Sequence, residues 1–249
     1  MGRFGVIVLA LAVVAGGVTL LLRRREAPAP TPPSSPAPLL ADEFSGVELD
    51  SSRWVICSEG DFKEKAVDVR EGRLRLRCGT VGTDDKTVKY LGVRSAAAYS
   101  LGPGTRVAAD LDWNRQFNGC YLSAAIILAP AATGGNPLSG SDWVRIEYVG
   151  VPPGKNGRLM VVSRTAGRER YLFLEGWPEK NREGRPLAVQ KAELVLKAGG
   201  GFEVVENGQP VYTCDEPVIG FKNAYLYLQM SSHSNYPPRE LFFDNVRWN

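Results

Sequence analysis

From Ala41 to the C-terminus the chain is a succession of short apolar runs, alternating with polar residues and closed by Gly, Pro, Asn or Asp. A period of two puts successive side chains on opposite faces of extended backbone, so each run reads as a strand with one face in a core. In RLRLRC, residues 73–78, Leu74, Leu76 and Cys78 share one side, and Arg73, Arg75 and Arg77 the other. That is the pattern of a half-exposed antiparallel strand. Similar runs are TRVAADLDW (105–113), CYLSAAIILA (120–129), WVRIEYVG (143–150), RLMVVSR (158–164) and RYLFLEG (170–176). AELVLKA (192–198), GFEVVENG (201–208), QPVYTC (209–214), AYLYLQM (224–230) and ELFFDNVRW (240–248) complete the series. No segment has a helical period, and roughly a dozen strands in about 200 residues imply one all-β sandwich or barrel. Gly199-Gly200-Gly201 and Asn207-Gly208 suit tight turns, which need positive φ. Segment 130–142, PAATGGNPLSGSD, is expected to be a long, irregular and mobile loop.

Residues 1–26 differ in kind. Residues 5–22, GVIVLALAVVAGGVTLLL, form an uncharged run of 18, close to the roughly 20 that a bilayer-spanning helix requires. The competing reading is a cleaved secretory signal. Against it, Arg23 to Arg25 follow the run directly, and the nearby Ala27-Pro28-Ala29 is followed by Pro30, a poor residue beyond a cleavage site. Residues 27–40 carry six Pro and read as an extended tether. Counted alone, Arg3 against three Arg beyond the run would put the C-terminal domain, 41–249, in the cytoplasm. The four Cys and the spacer favour the opposite, a single-pass cell-membrane protein whose domain is extracytoplasmic and disulfide-bonded. Spacing does not fix the pairing; Cys57 with Cys78 and Cys120 with Cys214 is one possibility.

Charge narrows the partners. Removing Arg3, Arg23, Arg24, Arg25 and Glu26 leaves 26 basic and 26 acidic residues in 27–249, so the domain is neutral. A nucleic-acid binder needs a basic face, and none is expected here.

Three segments carry a family resemblance. DEFSGVELDSSRW resembles a "DDFSG…LD…W" opening, ELVLKAGGGFEVVENGQPV is similar to paired strands ending in "NG", and AYLYLQMSS…LFFDNVRW resembles a closing "L-x-L-Q…FDNVRV". All three are similar to the concanavalin A-like lectin/glucanase superfamily, which includes laminin-G-like modules and family 16 glucanases. The resemblance implies a jelly-roll sandwich of two curved antiparallel sheets, with ligands on the concave face. It also implies a structural calcium held by Glu43 or Asp42 together with Asp244, although calcium takes six to eight oxygens. Family 16 enzymes carry E-x-D-x-x-E or E-x-D-x-E on one strand, and retaining hydrolysis needs two carboxyls about 5 Å apart. Neither pattern is expected in this chain. The nearest approaches are Asp110 with Asp112, expected to face solvent, and Glu147.

Other hydrolytic chemistry lacks its residues. There is one His, His233, no G-x-S-x-G and no H-E-x-x-H, and the Cys lie 21, 42 and 94 residues apart, unlike a zinc site. Sugar recognition combines an aromatic platform with amide and charged side chains that fork to hydroxyls. Two clusters have that mixture: Trp113, Asn114, Arg115 and Asn118, and His233, Asn235, Tyr236 and Arg239. Trp54, Trp143 and Trp248 sit in strand patterns and are expected in the core. The leading reading is a membrane-anchored, exported, non-catalytic glycan-binding domain. A divergent glycoside hydrolase using Asp110, Asp112 or Glu147 is the alternative, and an envelope scaffold or protein-interaction module is the third class.

Overall fold

The computed structural model describes residues 39–80, 88–112, 122–151, 155–174, 190–232 and 238–249. The strands are β1 (Leu40–Asp42), β2 (Trp54–Glu59), β3 (Phe62–Arg70), β4 (Arg73–Thr80), β5 (Lys89–Ser95), β6 (Tyr99–Ser100), β7 (Arg106–Asp112) and β8 (Leu122–Ala129). They continue as β9 (Trp143–Val151), β10 (Lys155–Thr165), β11 (Arg168–Leu174), β12 (Gln190–Leu196), β13 (Phe202–Glu206), β14 (Gln209–Cys214), β15 (Asn223–Ser232) and β16 (Arg239–Trp248). They make two antiparallel sheets. The first runs β14-β13-β12-β7-β16-β4-β3, with β1 also on β16; the second runs β11-β10-β9-β8-β15-β5-β2, with β6 also on β15.

Alternation builds the core between them. On the first sheet Leu74, Leu76, Val107, Leu111, Leu194, Leu241 and Phe243 turn inward; Ile126, Leu128, Ile146, Leu226 and Leu228 meet them from the second. Trp54 and Trp248 are buried there as expected. Asp110 and Asp112, by the same alternation, face outward, and Arg73 Nη1 lies 2.5 Å from Asp112. The expected turns form too, with Asn207 at φ 51° and Gly208 at φ 79°.

Several features depart from the alternation. Leu39 and Leu40, read as the end of the tether, open the sandwich: Leu39 N–H donates to Trp248 O at 2.7 Å and Leu40 begins β1. β5 keeps Leu91 and Val93 in the core but carries Gly92 on its other face, where a Cβ would lie 2.1 Å from Leu228 O, so only glycine lets the two backbones approach. β3, an edge strand, alternates only at Val67 and Val69, which pack against the core, and its other face carries partners for arginines: Asp68 with Arg75 and Glu64 with Arg77, both at 2.6 Å. Among the described residues no helix is long and apolar enough to cross a membrane. The expected anchor and most of the tether, residues 1–38, lie outside the described residues.

The expected disulfide between Cys57 and Cys78 does not form. Cys57 is on the second sheet, its Sγ 3.1 Å from Thr133 O, whereas Cys78 is on the first, its Sγ 3.7 Å from Met230 Sδ. Both thiols are free, as is that of Cys214; Cys120 lies outside the described residues. Burial pushes the Cys57 thiol up to about 11 and that of Cys78 up to about 12, so both stay protonated at neutral pH. Alkylation without reductant at pH near 8 is expected to leave Cys57 and Cys78 unmodified in the folded protein and to modify Cys57, Cys78 and Cys214 after denaturation. Protection of any of the three after denaturation would contradict the free thiols.

Candidate functional site

The second sheet's outer face is divided into a covered half and an open half. All eight residues of β8 are buried, a consequence of the unbroken LSAAIILA run: one side faces the core, and Ala125, Ile127 and Ala129 face outward into a second apolar cluster. That cluster also contains Cys57, Trp143, Val162 and Tyr227. Trp143 is therefore buried as expected, but outside the space between the sheets.

Segment 130–142 covers this cluster, contrary to the expectation of a mobile loop. The Tyr227 hydroxyl accepts from Thr133 N–H at 2.9 Å and donates to Ala131 O at 2.7 Å. Arg94 Nε donates to Thr133 O at 3.2 Å, and Trp143 Nε1 and Arg164 Nη1 both donate to Leu138 O, at 3.2 and 3.1 Å. Asn136 caps a short 3-10 turn, its side chain accepting from Leu138 N–H.

Beside the covered half lies a groove of about 480 Å³, lined by residues of β5, β8, β9, β10, β11 and β15 and by Asn136, Leu138 and Ser139 of the covering segment. Strand register sets its floor. One row across the sheet is Glu59, Tyr90, Ser231, Ser123, Val149 and Arg158; the next is Cys57, Gly92, Gln229, Ala125, Glu147 and Met160. Small and polar side chains thus replace the apolar ones that the covered half carries.

The groove centres on Glu147, which is only 7% exposed. Its Oε1 accepts from Ser123 Oγ at 2.5 Å, and Ser123 Oγ is 2.6 Å from Ser231 Oγ. Arg145, two residues back on β9 and hence on the same face, brings Nε to 3.1 Å from Glu147 Oε2, which offsets the buried charge. The angle is not that of a hydrogen bond, so Oε2 keeps an unused acceptor. Burial raises the pKa of Tyr90, so the group is a neutral phenol at physiological pH. Sequence reasoning missed Tyr90, Ser123, Gln229 and Ser231. The signal that could have found them is a buried-strand pattern turning polar on one face at its end.

The sequence-selected residues fare unequally. Trp113, Asn114, Arg115 and Asn118, with His233, Asn235 and Tyr236, lie outside the described residues. Their two connections leave from a single strand end, since Leu122 is in register with Ser232 and Ser123 with Ser231. Arg239 does not line the groove: it pairs with Cys78 in the first sheet, on the side of Leu241 and Phe243.

Among the described residues the acids singled out from the sequence stand apart, Glu147 on the second sheet and Asp110 and Asp112 on the first. On β9 the outward residues are Trp143, Arg145, Glu147 and Val149, with one acid among them. The string Glu59-Gly60-Asp61-Phe62-Lys63-Glu64 has the spacing E-x-D-x-x-E, but Glu59 ends β2 in the second sheet and Glu64 belongs to β3 in the first. Asp110 and Asp112 line a depression of about 230 Å³ on the first sheet's outer face, with Arg73 and Asp244. Asp110 accepts from Asn245 Nδ2 at 2.9 Å, and burial, then the Asp110 charge, raises the Asp244 pKa. These acids and Glu147 are on opposite outer faces, too far apart to flank one glycosidic bond.

Asp42 accepts from Phe44 N–H and Trp54 Nε1, at 2.8 and 2.7 Å, and Glu43 pairs with Arg247 at 3.1 Å. Among the described residues no group of three or more His, Cys, Asp or Glu is placed to hold a metal.

This architecture is shared with solved glycan-degrading enzymes, as the sequence resemblance implied. A lichenase from a mouse hindgut metagenome superposes with a TM-score of 0.61 at 10% identity, covering 84% of this chain and 98% of its own. A β-1,3-glucanase from Mycobacterium marinum gives 0.54 at 17% identity over 86% of this chain and 100% of its own. An endo-acting O-glycanase of the human gut microbiota gives 0.58 at 15% identity, covering 85% and 98%. The fold is thus the two-sheet antiparallel sandwich that these solved enzymes share. No family model and no curated protein sequence matches the chain.

The Tyr227 hydroxyl has two partners in the covering segment, so Tyr227→Phe leaves Thr133 N–H and Ala131 O without theirs. The variant is expected to lose about 1–3 kcal/mol of stability and to speed amide hydrogen exchange at 131–135. Unchanged exchange there would show that the segment is held by other means.

Proposed function

We propose that the protein binds a glycan in the groove on the second sheet's outer face and does not hydrolyse it. The observation that carries this reading is Glu147: a buried carboxylate ion-paired with Arg145, set beside the hydroxyls of Ser123 and Ser231, and with no second acid on its strand. A pyranose presents hydroxyls to such groups, and Tyr90 supplies an aromatic edge beside them. Solved proteins of the same fold include glucanases and an endo-β-galactosidase from Clostridium perfringens, which supports a saccharide ligand. In this reading Trp113, Asn114, Asn118, His233, Asn235 and Tyr236 extend the site from the two connections that leave beside Ser123 and Ser231. The domain is displayed outside the cell on an anchor formed by residues 5–22.

A glycan array read together with a reducing-sugar assay tests this. Binding without product release is expected, and Tyr90→Ala or Ser231→Ala should weaken it by about 1–3 kcal/mol, whereas Asp110→Asn should not. Release of reducing sugar that is abolished in Glu147→Gln would overturn the non-catalytic reading. Silence in both assays would favour the scaffold class. A reporter fused at residue 40 checks the orientation, which predicts activity of a periplasm-dependent reporter only.

A further inference from the structure

The groove is closed at one end and open at the other, and we infer that it receives the terminus of a glycan chain rather than a chain interior. This rests on the glycan-binding reading. The groove crosses the strands from Tyr90 on β5 to Glu169 on β11, five inter-strand steps, or roughly 24 Å at the usual strand spacing. That is room for several sugar residues lying across the sheet.

The closed end is at β2. There the covering segment seals the outer face of the strand next to β5: Ser58 N–H donates to Gly134 O at 2.9 Å, and Asn136 N–H donates to Glu59 Oε2 at 2.9 Å. Contact is tight, since a Cβ on Gly135 would lie 2.7 Å from Glu59 Oε2. Asn136 lines the groove together with Tyr90, so the wall meets the last groove residue on β5. Cys57, on the outer face of β2, is 2% exposed under this cover. A chain running along the groove cannot continue across β2.

Among the described residues the opposite end has no such wall. β11 presents Glu169 and Tyr171 outward, and Tyr171 is 62% exposed. A bound chain therefore leaves over β10 and β11, with Tyr171 placed to stack against a later residue. A groove of this shape holds one end of a linear oligosaccharide, with its terminal unit against Asn136 and Tyr90, and binds each chain once.

Binding stoichiometry separates the two modes. The full-length protein is titrated with linear β-1,3-glucan of two well-separated chain lengths, with molar concentrations set by chain number. Terminal recognition predicts saturation at one protein per chain for both lengths, with unchanged affinity per chain. It also predicts that Tyr171→Ala weakens binding of the long and short chains equally and leaves the ratio at one. A ratio that rises with chain length shows binding to chain interiors; it overturns this inference while leaving glycan binding intact. Absence of binding to both lengths overturns the glycan-binding reading for β-1,3-glucans and the inference with it.

Discussion

Burial of β8 on both faces is the constraint from which the site follows. A strand inside one sheet of a sandwich needs only one apolar face, yet LSAAIILA is apolar or small on both. Its outward Ala125, Ile127 and Ala129 must be covered, and the chain supplies the cover from the residues that directly follow, 130–142. A buried segment carries backbone groups that need partners, and side chains of the sheet meet that need: Tyr227, Arg94, Trp143 and Arg164 all bond to its backbone. Once half of the face is covered in this way, the groove is what remains.

The other half changes composition in register. Ser123, Gln229 and Ser231 stand where an apolar cover would otherwise continue, and Gly92 leaves space above the sheet because its own backbone neighbour demands glycine. Glu147 can be buried here because Arg145 shares its face and Ser123 donates to it. Removing either would leave a buried carboxylate undercompensated, a costly state that the ion pair and hydroxyl offset together. The first sheet's outer face differs in charge rather than in the presence of depressions. Its outward side is crossed by exposed or half-exposed ion pairs, such as Arg73 with Asp112 and Arg106 with Glu193. Such pairs contribute little each, and the depressions among them, of about 420 and 230 Å³, are lined by charged side chains such as Asp110, Lys191, Glu193 and Arg247.

Much of the fold was legible because period-two alternation is a direct image of a strand between core and solvent. β4, β7 and β12 to β16 follow it. β3, an edge strand of paired charges, and β5, interrupted by Gly92, were not legible, because their reasons lie in neighbouring strands. The site was read less well. Turn-rich clusters drew attention to 113–118 and 233–239, whereas the groove residues Ser123, Gln229 and Ser231 lie within strands that looked like core. Their polarity signifies a face only when the register of β5, β15, β8 and β9 is known. The thiols failed for a similar reason: Cys57 and Cys78 are close in sequence but belong to different sheets.

The central claim is that this protein holds its ligand on the second sheet, beside the segment that covers β8. Amide and methyl chemical-shift mapping by NMR during titration with a bound glycan tests it most directly. The account predicts shifts at Tyr90, Ser123, Glu147, Met160, Gln229 and Ser231, with Ala108, Asp110, Asp112 and Asn245 unmoved. Shifts centred on that second group, on the opposite outer face, would contradict it.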